Sequence, residues 1–135
     1  MKKNKISKNW INRQRKDIYV RKSKIEGYRS RAVYKLEEIN QKFKIFHNGA
    51  SVLDLGAAPG SWTQYISKNY KNIKLASIDL EKFDKIENAF QITGDFTEDI
   101  YKEKILNFFQ DKIDIVVSDM AVNTTGNKNL DSIQT

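Results

Sequence analysis

Four aspartates stand where strand-like runs end or turn: Asp54, Asp79, Asp95 and Asp119. Asp54 precedes a glycine-bounded loop, Asp54-Leu-Gly-Ala-Ala-Pro-Gly60, and Asp79 follows it by 25 positions. Glycines in such a loop let main chain approach a ligand closely, because no Cβ intervenes and positive φ is open to them. The loop is not a dinucleotide fingerprint, which needs G-x-G-x-x-G. It also lacks the Lys-Ser/Thr pair of a P-loop. A carboxylate ahead of the loop repels phosphate and suits a cationic, phosphate-free nucleoside. S-adenosylmethionine, with its sulfonium, amine, ribose and adenine, is such a ligand. Asp79 is spaced to accept the ribose hydroxyls and Asp95 to accept the adenine amine. The bland alternative is that strand-end Asp and G-x-x-x-G are ordinary α/β turn chemistry; the ordered set of four favours the nucleoside.

The elements that must position these acids can be read from the apolar pattern. Ser51–Leu55, Leu75–Leu80, Ala89–Thr93 and Ile113–Val117 form short apolar runs, and the segments between them include helical patterns. That alternation predicts a parallel α/β sheet covered on both faces, with ligands beyond the carboxyl ends of its strands. Helices are expected over Trp10 to Lys24, Arg29 to Phe43, Ser61 to Tyr70 and Glu98 to Gln110. Residues 1–8 read as frayed, and Ser30 as the cap of the second helix. The apolar face of that helix reads as Ala32, Leu36, Ile39 and Phe43, and that of the last helix as Ile100, Ile105, Leu106 and Phe109. Residues 123–135 are polar and without period.

Composition narrows the chemistry. The 135 residues suit one domain, with 39% hydrophobic residues to build its core. With no cysteine and a single histidine, His47, disulfides, thiolate zinc sites, multi-histidine metal sites and Cys/His catalysis fall away. No run is long and apolar enough to span a membrane. The Met1 end lacks the apolar block of a secretory signal, so a cytoplasmic location is expected; a metal-free, monomeric protein is expected as well.

The net charge of +7 is uneven: residues 1–35 carry +11 and the rest −4. A basic arm over 1–27, interleaved with Trp10 and Tyr19, thus precedes an acidic-leaning body from Tyr28 to Thr135. Cations that neutralise phosphate, mixed with rings that stack on bases, suit RNA. A solvated tail that merely aids solubility is the alternative.

Tyr28-Arg-Ser-Arg-Ala-Val-Tyr-Lys-Leu-Glu-Glu-Ile39, Val52-Leu-Asp-Leu-Gly-Ala-Ala-Pro-Gly-Ser-Trp-Thr-Gln-Tyr65, Gly94-Asp-Phe96 and Val117-Ser-Asp-Met-Ala121 together resemble the FtsJ/RrmJ (RlmE) 2′-O-methyltransferases. The resemblance runs from about Trp10 to Gly126. It implies a Rossmann-like, S-adenosylmethionine-dependent methyltransferase fold with the first four strands of the sheet present. It implies methylation of a ribose 2′-hydroxyl, in the bacterial branch on 23S ribosomal RNA, with a uridine as the expected nucleotide, so ribosomal RNA or the large ribosomal subunit is the expected partner. By matched motif, Gly60, Trp62, Asp79, Asp95 and Asp119 are the implied cofactor-binding residues. Lys35 and Asp119 match the first lysine and the aspartate of the family's Lys-Asp-Lys-Glu tetrad, and Arg29 and Arg31 are the expected RNA-binding residues. The sequence departs from the pattern at Ser61, where the family has glycine, and at Val122, where it has proline. No residue of 123–135 matches the second tetrad lysine, which the family treats as the proton acceptor, or the glutamate. Truncation before that segment is therefore expected, with weak or absent turnover by these residues alone. A remnant that only binds RNA or S-adenosylmethionine is the alternative, and an oxidoreductase on the same fold is a lesser one.

Overall fold

The structure is a computed structural model that describes residues 2–120, with side chains from residue 8 onward. Val122, Asn123 and Lys128 therefore lie outside the described residues. Along the chain come α1 (Lys2–Glu26), α2 (Val33–Phe43), β1 (Ser51–Leu55), α3 (Ser61–Asn69), β2 (Lys74–Asp79), β3 (Ala89–Thr93), α4 (Asp99–Phe109) and β4 (Ile115–Ser118). The strands form one wholly parallel sheet in the order β3-β2-β1-β4. The chain steps outward from β1 to β3 and then returns to the far side of β1, so the topological switch lies between β1 and β4. Such a switch opens a crevice at the carboxyl ends of the strands.

Neighbouring residues along a strand face opposite sides, and each side has its own core. Val52, Leu75 and Val117 pack with Val33, Leu36, Trp62 and Ile66 from α2 and α3. Leu53, Leu55, Ala76, Ile78 and Ile92 pack with Ile105 and Phe109 of α4. This is the doubly covered α/β sheet the sequence leads one to expect.

The helices depart from the sequence reading in detail. Residues 2–8 belong to α1 and are not frayed, since nothing in Lys2–Glu26 is Gly or Pro and its lysines favour helix. The helix ends at Gly27, at φ +80°, with the Gly27 and Tyr28 amides turned back to the Lys24 and Ser23 carbonyls, a Schellman cap. Ser30 does not cap α2. Its hydroxyl pairs with the Ser61 hydroxyl at 2.8 Å, and Ala32 holds the cap position without a side-chain bond. The buried face of α2 is Val33, Tyr34, Leu36 and Asn40, whereas Phe43 is exposed. Ile100 and Leu106 of α4 are likewise exposed, leaving Ile105 and Phe109 to the core.

Asn40 explains why the face of α2 is rotated from the apolar reading. Its amide donates to the Tyr65 and Tyr70 hydroxyls, and its carbonyl accepts from the Ile45 and Phe46 amides. Asn40→Leu strands these groups in a buried site and is expected to lower stability by about 2 kcal/mol, measured by urea unfolding; no loss would show that the network contributes nothing.

Candidate active site

At the carboxyl end of the sheet lies a cavity of about 320 Å³, lined by Gly56, Ile78, Asp79, Leu80, Gly94, Asp95, Phe96 and Met120. Every strand contributes from its carboxyl end or from the turn that follows it. Two acids stand among apolar walls, which is the composition a nucleoside needs: faces for the base and acceptors for its hydroxyls and amine.

Asp79 closes β2, and both of its oxygens are anchored. Oδ2 accepts the Ala58 amide at 2.9 Å and Oδ1 accepts the Glu81 amide at 2.8 Å. One acid thus fixes the glycine loop after β1 and the loop after β2. Each oxygen keeps a lone pair for a ligand. Asp95 accepts the Thr97 hydroxyl at 2.6 Å and the Thr97 amide at 2.9 Å, both at Oδ1, and its Oδ2 has no partner among the described residues. Those bonds hold its carboxyl below the usual aspartate range.

Asp119, beyond β4, meets Lys35 on α2, with Nζ 3.4 Å from Oδ1. The fold brings these two together across 84 positions of sequence. The lysine head is largely exposed and the carboxylate less so.

Gly60 caps α3 at φ +110° and offers no side-chain acceptor, so the first-turn amides of Ser61, Trp62 and Thr63 have no intrahelical partner. The positive end of α3 favours an anionic group there. Trp62 is in a different position from that of a ring lining a ligand. Its indole is buried in the core, and its N–H donates to the Ala32 carbonyl at 2.7 Å. A contact of residue 62 with a ligand is therefore one of its main chain.

Asp54 does not join the other acids on the rim. It is 1% exposed and accepts the Thr63 hydroxyl at 2.7 Å. Burial pushes its carboxyl up to about 7, with smaller contributions from the charges of Asp119 and Asp79 and an opposing one from the Thr63 bond. Its side chain lies on the α3 side of the sheet, level with Ser77 of β2, whose buried hydroxyl has no partner among the described residues. Of the expected set of four, Asp79 and Asp95 line the cavity, Asp119 stands next to the lining residue Met120 and pairs with Lys35, and Asp54 lies underneath.

Arg29 and Arg31 differ as well. Arg29 Nη1 donates to the Pro59 and Asp84 carbonyls and Nη2 to that of Lys85, which leaves two of its five N–H donors without a partner among the described residues. Arg31 is exposed and makes no side-chain hydrogen bond among the described residues.

Sequence reasoning found the acids and missed the apolar walls. Leu80, Phe96 and Met120 each directly follow one of the rim acids Asp79, Asp95 and Asp119. An acid followed by a large apolar residue at three strand ends was the available signal.

Residues 28–135 match the FtsJ-like methyltransferase family. The chain belongs to that family. Among curated relatives of this FtsJ-like chain is a protein of Pelagibacter ubique named ribosomal RNA large subunit methyltransferase E, 62% identical over all 135 residues and matched over 66% of its own length. A Rickettsia akari protein of the same name is 48% identical over 96% of the chain and 60% of its own length. The FtsJ-like chain thus spans 60–66% of the length of these relatives. A crystal structure described as a ribosomal RNA methyltransferase from Plasmodium falciparum superposes with a TM-score of 0.63 at 40% identity, over 79% of this chain and 65% of that one. The methyltransferase fold expected from the sequence is therefore the fold observed. No described helix of the FtsJ-like chain is long and apolar enough to cross a membrane.

Proposed function

We propose that this chain is the cofactor-binding part and basic arm of an S-adenosylmethionine-dependent methyltransferase acting on a ribose 2′-hydroxyl, that of a uridine, in 23S ribosomal RNA. The observation that carries the reading is the pairing of Lys35 with Asp119 at the carboxyl end of the same sheet that holds the cavity of Asp79 and Asp95. The cavity fits the adenosine part of the cofactor. Asp79 accepts the ribose hydroxyls on its remaining lone pairs, Asp95 Oδ2 accepts the exocyclic amine, and Leu80, Phe96 and Met120 supply apolar walls. The open amides at the start of α3, including that of Trp62 beside Gly60, receive the carboxylate of the methionine part.

When bound, the cofactor supplies an electrophilic methyl on a sulfonium. The chain's own residues bind and orient the acceptor. A 2′-hydroxyl is a weak nucleophile until its O–H is polarised, and the Lys35 ammonium favours the developing alkoxide. Asp119 Oδ1 holds Nζ in place, and its charge suits a sulfonium nearby. Arg31, with the two remaining donors of Arg29, grips phosphate, and the arm extends that grip along the RNA.

Calorimetric titration tests the reading. The folded chain is expected to bind S-adenosylmethionine and to ignore NAD; binding of NAD in its place, or of neither, would overturn it. Lys35→Ala should leave that affinity within about twofold. In a protein that joins these residues to the remaining third of the relatives' length, it should slow the appearance of alkali-resistant 2′-O-methyl nucleotides in 23S RNA by about tenfold, a modest factor because the ammonium is largely solvated. Arg31→Ala should weaken RNA binding similarly on all sequences and reduce the magnitude of its salt slope by about one. An unchanged slope would remove Arg31 from the interface.

A further inference from the structure

Arg29 sits where three segments meet. Its own amide donates to Gln64 Oε1 on α3 at 2.9 Å, which fixes the turn before α2. Its guanidinium reaches the Pro59 carbonyl in the glycine loop at 2.9 Å. The same group reaches the carbonyls of Asp84 at 2.7 Å and Lys85 at 3.0 Å, in the loop that follows Asp79. A Cβ built on Gly60 would stand 3.0 Å from Nη1 and 2.7 Å from Ile86 Cδ1, so the fork is packed against the main chain of the loop. No carboxylate pairs with it: among the described residues the ion pairs are Lys22–Glu26 and Lys35–Asp119. A planar fork of fixed N–H donors matches convergent carbonyls in a way that one ammonium cannot.

We infer that Arg29 is a positioning residue for the cofactor site: it clamps the Pro59–Gly60 turn to the 81–86 loop and ties both to the base of the arm. The ligand side of this inference rests on the proposed S-adenosylmethionine reading; the clamp itself does not. Because Asp79 is anchored to Ala58 and Glu81 within the same two loops, loosening the clamp loosens the seat of the ribose. The arm and the cofactor site are then mechanically coupled through one side chain.

Hydrogen exchange on residues 1–135 without RNA or cofactor reads the clamp directly. In Arg29→Ala the hydrogen-bonded amides of Ala57, Ala58, Glu81 and Ile86 should exchange at least about tenfold faster while those of β1 and β2 keep their protection. Arg29→Lys should fall between wild type and Arg29→Ala, and millimolar guanidinium should restore protection in Arg29→Ala. Arg31→Ala should leave these loops as in wild type. Titration with S-adenosylmethionine should then give at least about tenfold weaker binding for Arg29→Ala, again rescued by guanidinium. Loops as protected in Arg29→Ala and Arg29→Lys as in wild type would overturn the clamp. Faster loops with unchanged cofactor affinity would overturn its link to the site. If wild type fails to bind S-adenosylmethionine, the functional reading fails, and the exchange result still decides the clamp.

Discussion

Asp79→Ala is expected to weaken S-adenosylmethionine binding by about two orders of magnitude while the chain stays folded. The carboxylate has two tasks. It anchors the Ala58 and Glu81 amides, and it presents its remaining lone pairs to the ribose hydroxyls. Each hydrogen bond to a charged group contributes about 1.5–3 kcal/mol, so losing two to the ligand costs about 3 kcal/mol or more. That corresponds to about a hundredfold in affinity. Asp79→Asn should also bind at least about tenfold more weakly, because its NH₂ must face one of the two amides that the carboxylate accepts. Calorimetry, with circular dichroism to verify folding, checks both variants. Affinity within about threefold of wild type would remove Asp79 from the ligand site.

The second large effect concerns Asp54 and pH. Its carboxyl is raised from 3.8 to about 7 in the folded chain, chiefly by burial. Between these values the folded state holds a proton that the unfolded state has released. Stability from this group is therefore full below about pH 4 and is lost as pH rises toward 7, by about 4 kcal/mol in all. Asp54→Asn removes this slope, because a neutral amide has no charge to bury and can still accept the Thr63 hydroxyl. Urea unfolding at pH 4.5 and pH 8 should show wild type losing stability across the interval and Asp54→Asn losing markedly less. Parallel pH dependences in the two would mean that Asp54 is ionised in the fold. Asp95 acts with the opposite sign and in a lower window. Its carboxyl is depressed by Thr97, so its contribution is present above the unfolded value and vanishes as pH falls below it.

The strands were legible because short apolar runs, such as Val52-Leu53 and Ile115-Val116-Val117, recur along the chain and acids or glycines stand where those runs end. Lys35 and Asp119 were paired only through the family pattern. No local property of either residue points across 84 positions to the other. The rotation of α2 was not legible, because Asn40 reads as polar surface and its four partners are Tyr65 on α3, Tyr70 just after α3, and Ile45 and Phe46 just after α2. Asp54 was misplaced for a related reason. A carboxylate in an apolar strand signals either a ligand or a buried partner, and the partner here, Thr63, lies on the following helix. Trp62 shows the same limit, since a motif fixes which residue stands at the start of α3 but not whether its ring or its main chain faces the ligand. Capping propensity points to Ser30, and the tertiary bond to Ser61 overrides it.

A crystal structure of the chain soaked with S-adenosylmethionine bears most directly on all of this. Density for the nucleoside should fill the space between Leu80, Phe96 and Met120, with the sugar on Asp79 and the base amine toward Asp95. A nucleoside bound at another surface, or an empty crevice beside a well-folded sheet at saturating ligand, would contradict the account.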